Sequence, residues 1–142
     1  MSDSKPQAAS ATPAIRPAPL SPHVQIWRWH VTMAASILTR ATGVALYAGF
    51  LIVAWGALAL ASGPDAYATF LAVVGSVPGR LVLFGTVFSI FYHMAAGVRH
   101  LVWDFGKGFL PKTANLTAMA AMAFGLAAAI IVWVIAMMTG GA

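Results

Sequence analysis

The sequence predicts an all-α membrane protein with three transmembrane helices and a short N-terminal interfacial helix. Three observations lead there. Hydrophobic residues make up 61% of the 142-residue chain and charged residues only 8%, against about a quarter in a typical soluble domain. Three runs carry no charge over lengths near the ~20 residues that a span needs. Trp27 and Trp29 precede the first run, and such rings favour the headgroup zone.

Taken in order, residues 1–20 are rich in Ala, Pro and Ser and are expected to form a disordered tail. They hold no apolar secretory core, and Asp3 beside Lys5 is unlike an organelle transit peptide. Both features point to a bacterial protein or a mature chain, and with the spans the expected location is the inner membrane of a bacterium. Residues 21–142 form the anchor domain. Ser21-Pro22 reads as a helix N-cap followed by proline. Ile26, Trp29, His30 and Met33 then recur at helical spacing, which predicts an interfacial helix. The uncharged runs are Ala41 to Ala61, Leu81 to Val98 and Ala114 to Thr139. With flanking residues they predict spans at about 34–61, 81–104 and 114–139. Tyr67 to Val74 is too short to cross and predicts a surface helix beginning near Pro64.

Charge placement predicts orientation. Lys5, Arg16, Arg28 and Arg40 precede the first span, and Arg99, Lys107 and Lys112 lie between the second and third. Only Arg80 lies on the other side. The positive-inside rule then puts the N-terminus in the cytoplasm and the C-terminus in the periplasm. The basic residues form no patch, so nucleic acid is not an expected partner. The chain has no cysteine, which excludes thiolate clusters and cysteine nucleophiles.

The stretch YHMAAGVRHLVWD, residues 92–104, carries the chemistry. Ionisable groups inside a bilayer are costly and tend to face the bundle interior or a cofactor. At about 100° per residue, His93, Gly97, His100 and Asp104 share one helix stripe. Gly97 leaves room for a flat ligand, and an imidazole is a common axial ligand of haem iron. His93 and His100 stand about 10 Å apart along one helix, so they cannot clasp one iron. A second axial ligand would come from another chain, or from His30 or His23. In the alternative, His93 only bonds a neighbouring carbonyl and joins helices. Ser36 and Arg40 sit one turn apart, where hydroxyl and guanidinium could hold a quinone carbonyl at the membrane edge. In the alternative, Arg40 snorkels to phosphates and Ser36 bonds its own backbone.

The segments PLSPHVQIWRW, SILTRATGVAL and YHMAAGVRHLVWDFGKG resemble the cytochrome b membrane-anchor subunit of succinate dehydrogenase, respiratory complex II. The likeness runs from Leu20 to Gly108, with a compatible third span behind it. It implies His93 as the axial ligand of haem b, with the second histidine supplied by a companion anchor subunit. It implies Ser36 and Arg40 at the ubiquinone site, with Arg40 also near a haem propionate. Arg99 and His100 would join one polar cluster, with Gly97 and His100 around the haem and Asp104 structural or near the quinone. The implied partners are the second anchor, an iron–sulfur subunit, a flavoprotein subunit and the bilayer. The family commonly has histidine where this chain has Thr39, which predicts a lower haem potential here. Succinate chemistry is excluded from the chain itself, which has neither a dinucleotide fingerprint nor cysteines for clusters. A quinol:fumarate reductase anchor and a non-redox structural membrane subunit are the alternatives. Small residues Ala118, Ala121, Gly125 and Ala128 suit close helix contact in the third span.

Overall fold

The computed structural model describes residues 27–140. The helices, in order, are α1 (Val31–Ser62), α2 (Pro64–Val74), α3 (Val77–Asp104) and α4 (Pro111–Met138). The described residues include no strand. Helices α1, α3 and α4 have 32, 28 and 28 residues and are long and apolar enough to cross a membrane. At 1.5 Å per residue each exceeds a hydrocarbon layer of about 30 Å, so their ends reach the headgroup zone or the helices tilt.

The expected tail, residues 1–20, lies outside the described residues. So does the start of the expected interfacial helix. Its described part is not helical: Trp27 to His30 form no helix, and His30 is extended (φ −142°, ψ 158°). His30 occupies the N-cap of α1, where the backbone stays extended while its carbonyl accepts from Met33 N (3.1 Å) and Ala34 N (3.3 Å). Helical spacing therefore begins at Val31. Trp27 and Trp29 meet edge to face at 5.8 Å.

Gly63, at φ 116°, makes the sharp turn out of α1, and Pro64 opens α2 as expected. Helix α2 folds back so that Phe70 lies over Gly56 and edge-on to Trp55 at 5.0 Å. The next helix starts at Val77, four residues before the uncharged run. Ser76 caps it by accepting from Gly79 N (3.2 Å), and Arg80 Nε donates back to Gly75 O (2.8 Å). That bond lets a charged residue sit in the first turn of a membrane helix. Between α3 and α4, Gly106 and Gly108 take positive φ, and Trp103 Nε1 donates to Gly108 O (3.3 Å).

Helix α3 lies in the middle and packs on both α1 and α4. The contacts are built from small side chains. On α4 the buried residues are Ala114, Ala118, Ala121, Gly125 and Ala129. Ala129 takes the contact position rather than Ala128, because the stripe advances by four residues after Gly125. On α1, Ala35, Thr42 and Gly49 are buried at seven-residue intervals. Among the described residues, Tyr92 is the one large side chain fully buried, at 1% exposure. Large apolar side chains such as Val44, Phe50, Leu81 and Ile131 point outward, as they must where lipid or another subunit is the solvent.

Candidate functional site

His93, Gly97, His100 and Asp104 all fall within α3, so the stripe read from the sequence is continuous. Gly97 is open: a methyl group built on it meets no atom within 4 Å. His93 is half-buried against α1. Its Nδ1 lies 3.2 Å from Thr42 Oγ1. Its Cε1 would stand 3.4 Å from a Cβ at Gly43, so the ring lies beside α1 with room for no more than a methyl group between. Nε2 makes no hydrogen bond among the described residues, which leaves it able to coordinate iron.

His100 is different. Its Nδ1 donates to Ala96 O (2.7 Å) on its own helix, and its ring meets Trp103 edge to face at 5.1 Å. Among the described residues, no group of three or more His, Cys, Asp or Glu side chains is placed to hold a metal ion. The chemistry on offer is one imidazole nitrogen rather than a protein cage.

The other half of the site is on α1. Ser36, Arg40 and Gly43 are four and three residues apart and share a stripe. Helices α1 and α3 run antiparallel, with Thr42 opposite His93 and Gly49 against Thr86. Counting along that register puts Arg40 near the level of Ala95 and Ser36 near that of Arg99. Ser36 and Arg40 are both exposed. Neither forms a hydrogen bond among the described residues, so the Ser36 hydroxyl is not spent on its own helix. Thr39 and Thr42 do bond the carbonyl four residues back, each at 2.8 Å.

Thr39 faces the α1–α3 contact. Its hydroxyl donates to Ala35 O and stands 3.2 Å from Tyr92 Oη, which itself donates to Ala35 O at 2.8 Å. Arg99 turns to α4 instead of joining His100. Its Nε donates to Thr117 Oγ1 (3.1 Å) and its Nη2 to Ala114 O (3.1 Å), while the guanidinium lies 3.9 Å over the Trp103 ring. It ties α3 to the start of α4. Asp104 is exposed and ends α3. His30 is exposed at the N-cap of α1, and His23 lies outside the described residues.

Thr42 and Gly43 fall in the SI-x-x-R-x-T-G pattern that carries the resemblance but had no role read from the sequence, and Tyr92 had none either. The signal was present: Thr-Gly interrupts an Ala, Val and Leu run, with Gly43 three residues beyond Arg40 on its stripe and Thr42 turned toward α3. Its meaning depends on which α3 residue stands opposite.

The fold and this site define a multi-pass helical membrane protein with polar groups gathered toward one end of its bundle. The chain belongs to the family described as the succinate dehydrogenase/fumarate reductase transmembrane subunit, which it matches over residues 14–132. It is similar to the succinate dehydrogenase cytochrome b556 subunit of Paracoccus denitrificans, with 36% identity over 117 residues, covering 82% of this chain and 90% of the relative. The cytochrome b556 subunit of Rickettsia felis is 34% identical over 116 residues, with the same coverage of 82% and 90%. The mitochondrial cytochrome b560 subunit of Sus scrofa is 44% identical over 95 residues, covering 63% of this chain and 54% of the relative.

Proposed function

We propose that this chain anchors a succinate:ubiquinone oxidoreductase, gives His93 Nε2 as one axial ligand of haem b, and forms part of the quinone site with Ser36 and Arg40. One observation carries the reading: His93 is held through Nδ1 by Thr42, with Nε2 unbonded on a stripe that Gly97 keeps open. Those residues would suit a haem, with Nε2 of His93 free to ligate the iron and Gly97 leaving room beside it. Haem b, when bound, supplies a one-electron carrier inside the bilayer. The chain's own part is to orient the ligand ring and to hold the quinone. Ser36 and Arg40 donate to a quinone carbonyl, and the guanidinium favours the charge that builds there on reduction.

The second axial histidine comes from a companion anchor subunit. The iron–sulfur and flavoprotein subunits dock on the cytoplasmic face and deliver electrons from succinate. The N-terminus is cytoplasmic and the C-terminus periplasmic, following the seven-to-one division of basic residues. The relatives above are named for succinate dehydrogenase, which favours succinate oxidation over fumarate reduction.

The test is a dithionite-reduced minus oxidised spectrum of the complex purified from native membranes, with wild-type chain and with His93→Ala. Wild type should show b-type bands and the variant should lose them. Full bands in His93→Ala would overturn the ligand assignment and leave a structural membrane subunit.

A further inference from the structure

We infer that Thr42 is a positioning residue for His93, fixing which ring nitrogen is free and how the ring is rotated. This rests on the haem-ligand reading proposed above. Thr42 is 3% exposed and has one hydroxyl proton. That hydroxyl has three neighbours: Leu38 O at 2.8 Å, Thr39 O at 3.1 Å and His93 Nδ1 at 3.2 Å. Both carbonyls can only accept. The proton goes to the shortest of the three contacts, the carbonyl of Leu38 one turn back. The hydroxyl oxygen therefore meets Nδ1 as an acceptor, and Nδ1 must carry the hydrogen. A neutral imidazole protonated at Nδ1 presents its lone pair at Nε2.

The same pattern recurs in the molecule. Thr117 Oγ1 donates to Thr113 O at 3.0 Å and accepts from Arg99 Nε at 3.1 Å. In both places a helical threonine is first saturated by its own backbone and then serves the facing helix as an acceptor. At Thr42 the neighbouring residue completes the arrangement. Gly43 lies beside the same ring, where a methyl group would stand 3.4 Å from Cε1, in ordinary van der Waals contact. The ring is thus held by Thr42 at Nδ1, with Gly43 beside the Nδ1–Cε1 edge.

The consequence concerns the ligand's strength. A hydrogen bond from the second ring nitrogen to an acceptor raises the basicity of the ligating nitrogen. A more basic axial ligand favours ferric iron and lowers the reduction potential. Thr42 thereby sets part of the potential without touching the iron.

The experiment is a redox titration of haem in the intact purified complex, normalised to co-purifying flavin, for Thr42→Val, Thr42→Ala and Thr42→Ser. Valine keeps the shape and removes the hydroxyl. The midpoint potential should rise in Thr42→Val and in Thr42→Ala and stay at the wild-type value in Thr42→Ser. If Thr42→Val fails to assemble, Thr42→Ala, which adds no bulk, gives the reading. Unchanged potentials in both hydroxyl-free variants would overturn the inference. So would a fall in potential, which would mean that the hydroxyl donates to Nδ1, and so would a shift in Thr42→Ser as large as in Thr42→Val. His93→Ala separates the two levels: bands retained there defeat the haem-ligand reading itself, whereas bands lost there with an indifferent Thr42 defeat only this inference.

Discussion

Replacing Gly125 by alanine tests how tightly α3 must lie on α4. A Cβ at Gly125 would stand 2.8 Å from Tyr92 Cβ and 3.0 Å from both Tyr92 Cα and Tyr92 N. Two of those three atoms are backbone, so no rotamer change relieves the contact. The helices must separate by roughly half an ångström, and close-packed interiors yield little. Overpacking of this kind costs about 1–3 kcal/mol, equivalent to about a 5- to 150-fold change in an equilibrium constant. Tyr92 precedes the candidate ligand His93, so the displacement also moves the imidazole relative to Thr42. The assay is thermal unfolding of the purified complex, followed by far-UV circular dichroism for the helices and by the Soret band for the haem. The melting midpoint should fall in both. An unchanged or higher midpoint would show that α3 and α4 do not meet at Gly125, and the packing argument would fail with it.

Other consequences follow from the same contacts. Tyr92→Phe removes a buried bond to Ala35 O but leaves Thr39 on that carbonyl. It should cost about 0.6 kcal/mol, the average for such bonds between membrane helices, and a loss several times larger in the same melting assay would contradict this. Arg40→Ala should lower kcat/KM for a short-chain ubiquinone about 10- to 150-fold, the worth of one charged hydrogen bond, while succinate-driven reduction of a soluble dye stays normal; equal rates with quinone would remove Arg40 from the site. Arg99→Lys keeps the charge but loses the fork that spans Thr117 and Ala114 and the stack on Trp103. Its expected effect is a lower melting midpoint with unchanged quinone kinetics, and a raised KM for quinone would refute the structural role. Thr39→His restores the residue common in the family and adds a group able to carry positive charge, so it should raise the haem potential on redox titration; an equal or lower value would refute the expectation.

The architecture was legible in the sequence because the bilayer imposes a simple rule. A chain must be uncharged for about 20 residues and must satisfy its own backbone. The boundaries were harder. Arg80 hid the first turn of α3, since the bond to Gly75 O that accommodates it depends on a preceding turn. At the other end, helical spacing through Trp29 and His30 suggested a helix where the N-cap of α1 requires extended backbone.

The candidate site was half legible. The His93 stripe follows from helix geometry alone, and so does the pairing of Ser36 with Arg40. The partners across the helix interface do not. Thr42 matters to His93 only through the antiparallel register of α1 and α3, which the single sequence does not encode at any one position. Arg99 shows the converse: adjacent to His100 in sequence, it points to a different helix, because neighbours along a helix diverge by about 100°.

The central claim is that His93 Nε2 is an axial ligand of iron while Thr42 holds Nδ1. The most direct measurement is an experimental structure of the assembled complex at side-chain resolution. Haem iron is expected at bonding distance from Nε2, with a histidine of the companion subunit on the opposite axial side and the Thr42 hydroxyl still against Nδ1. Lipid or a main-chain carbonyl occupying the space beside Nε2, with no porphyrin there, would contradict it.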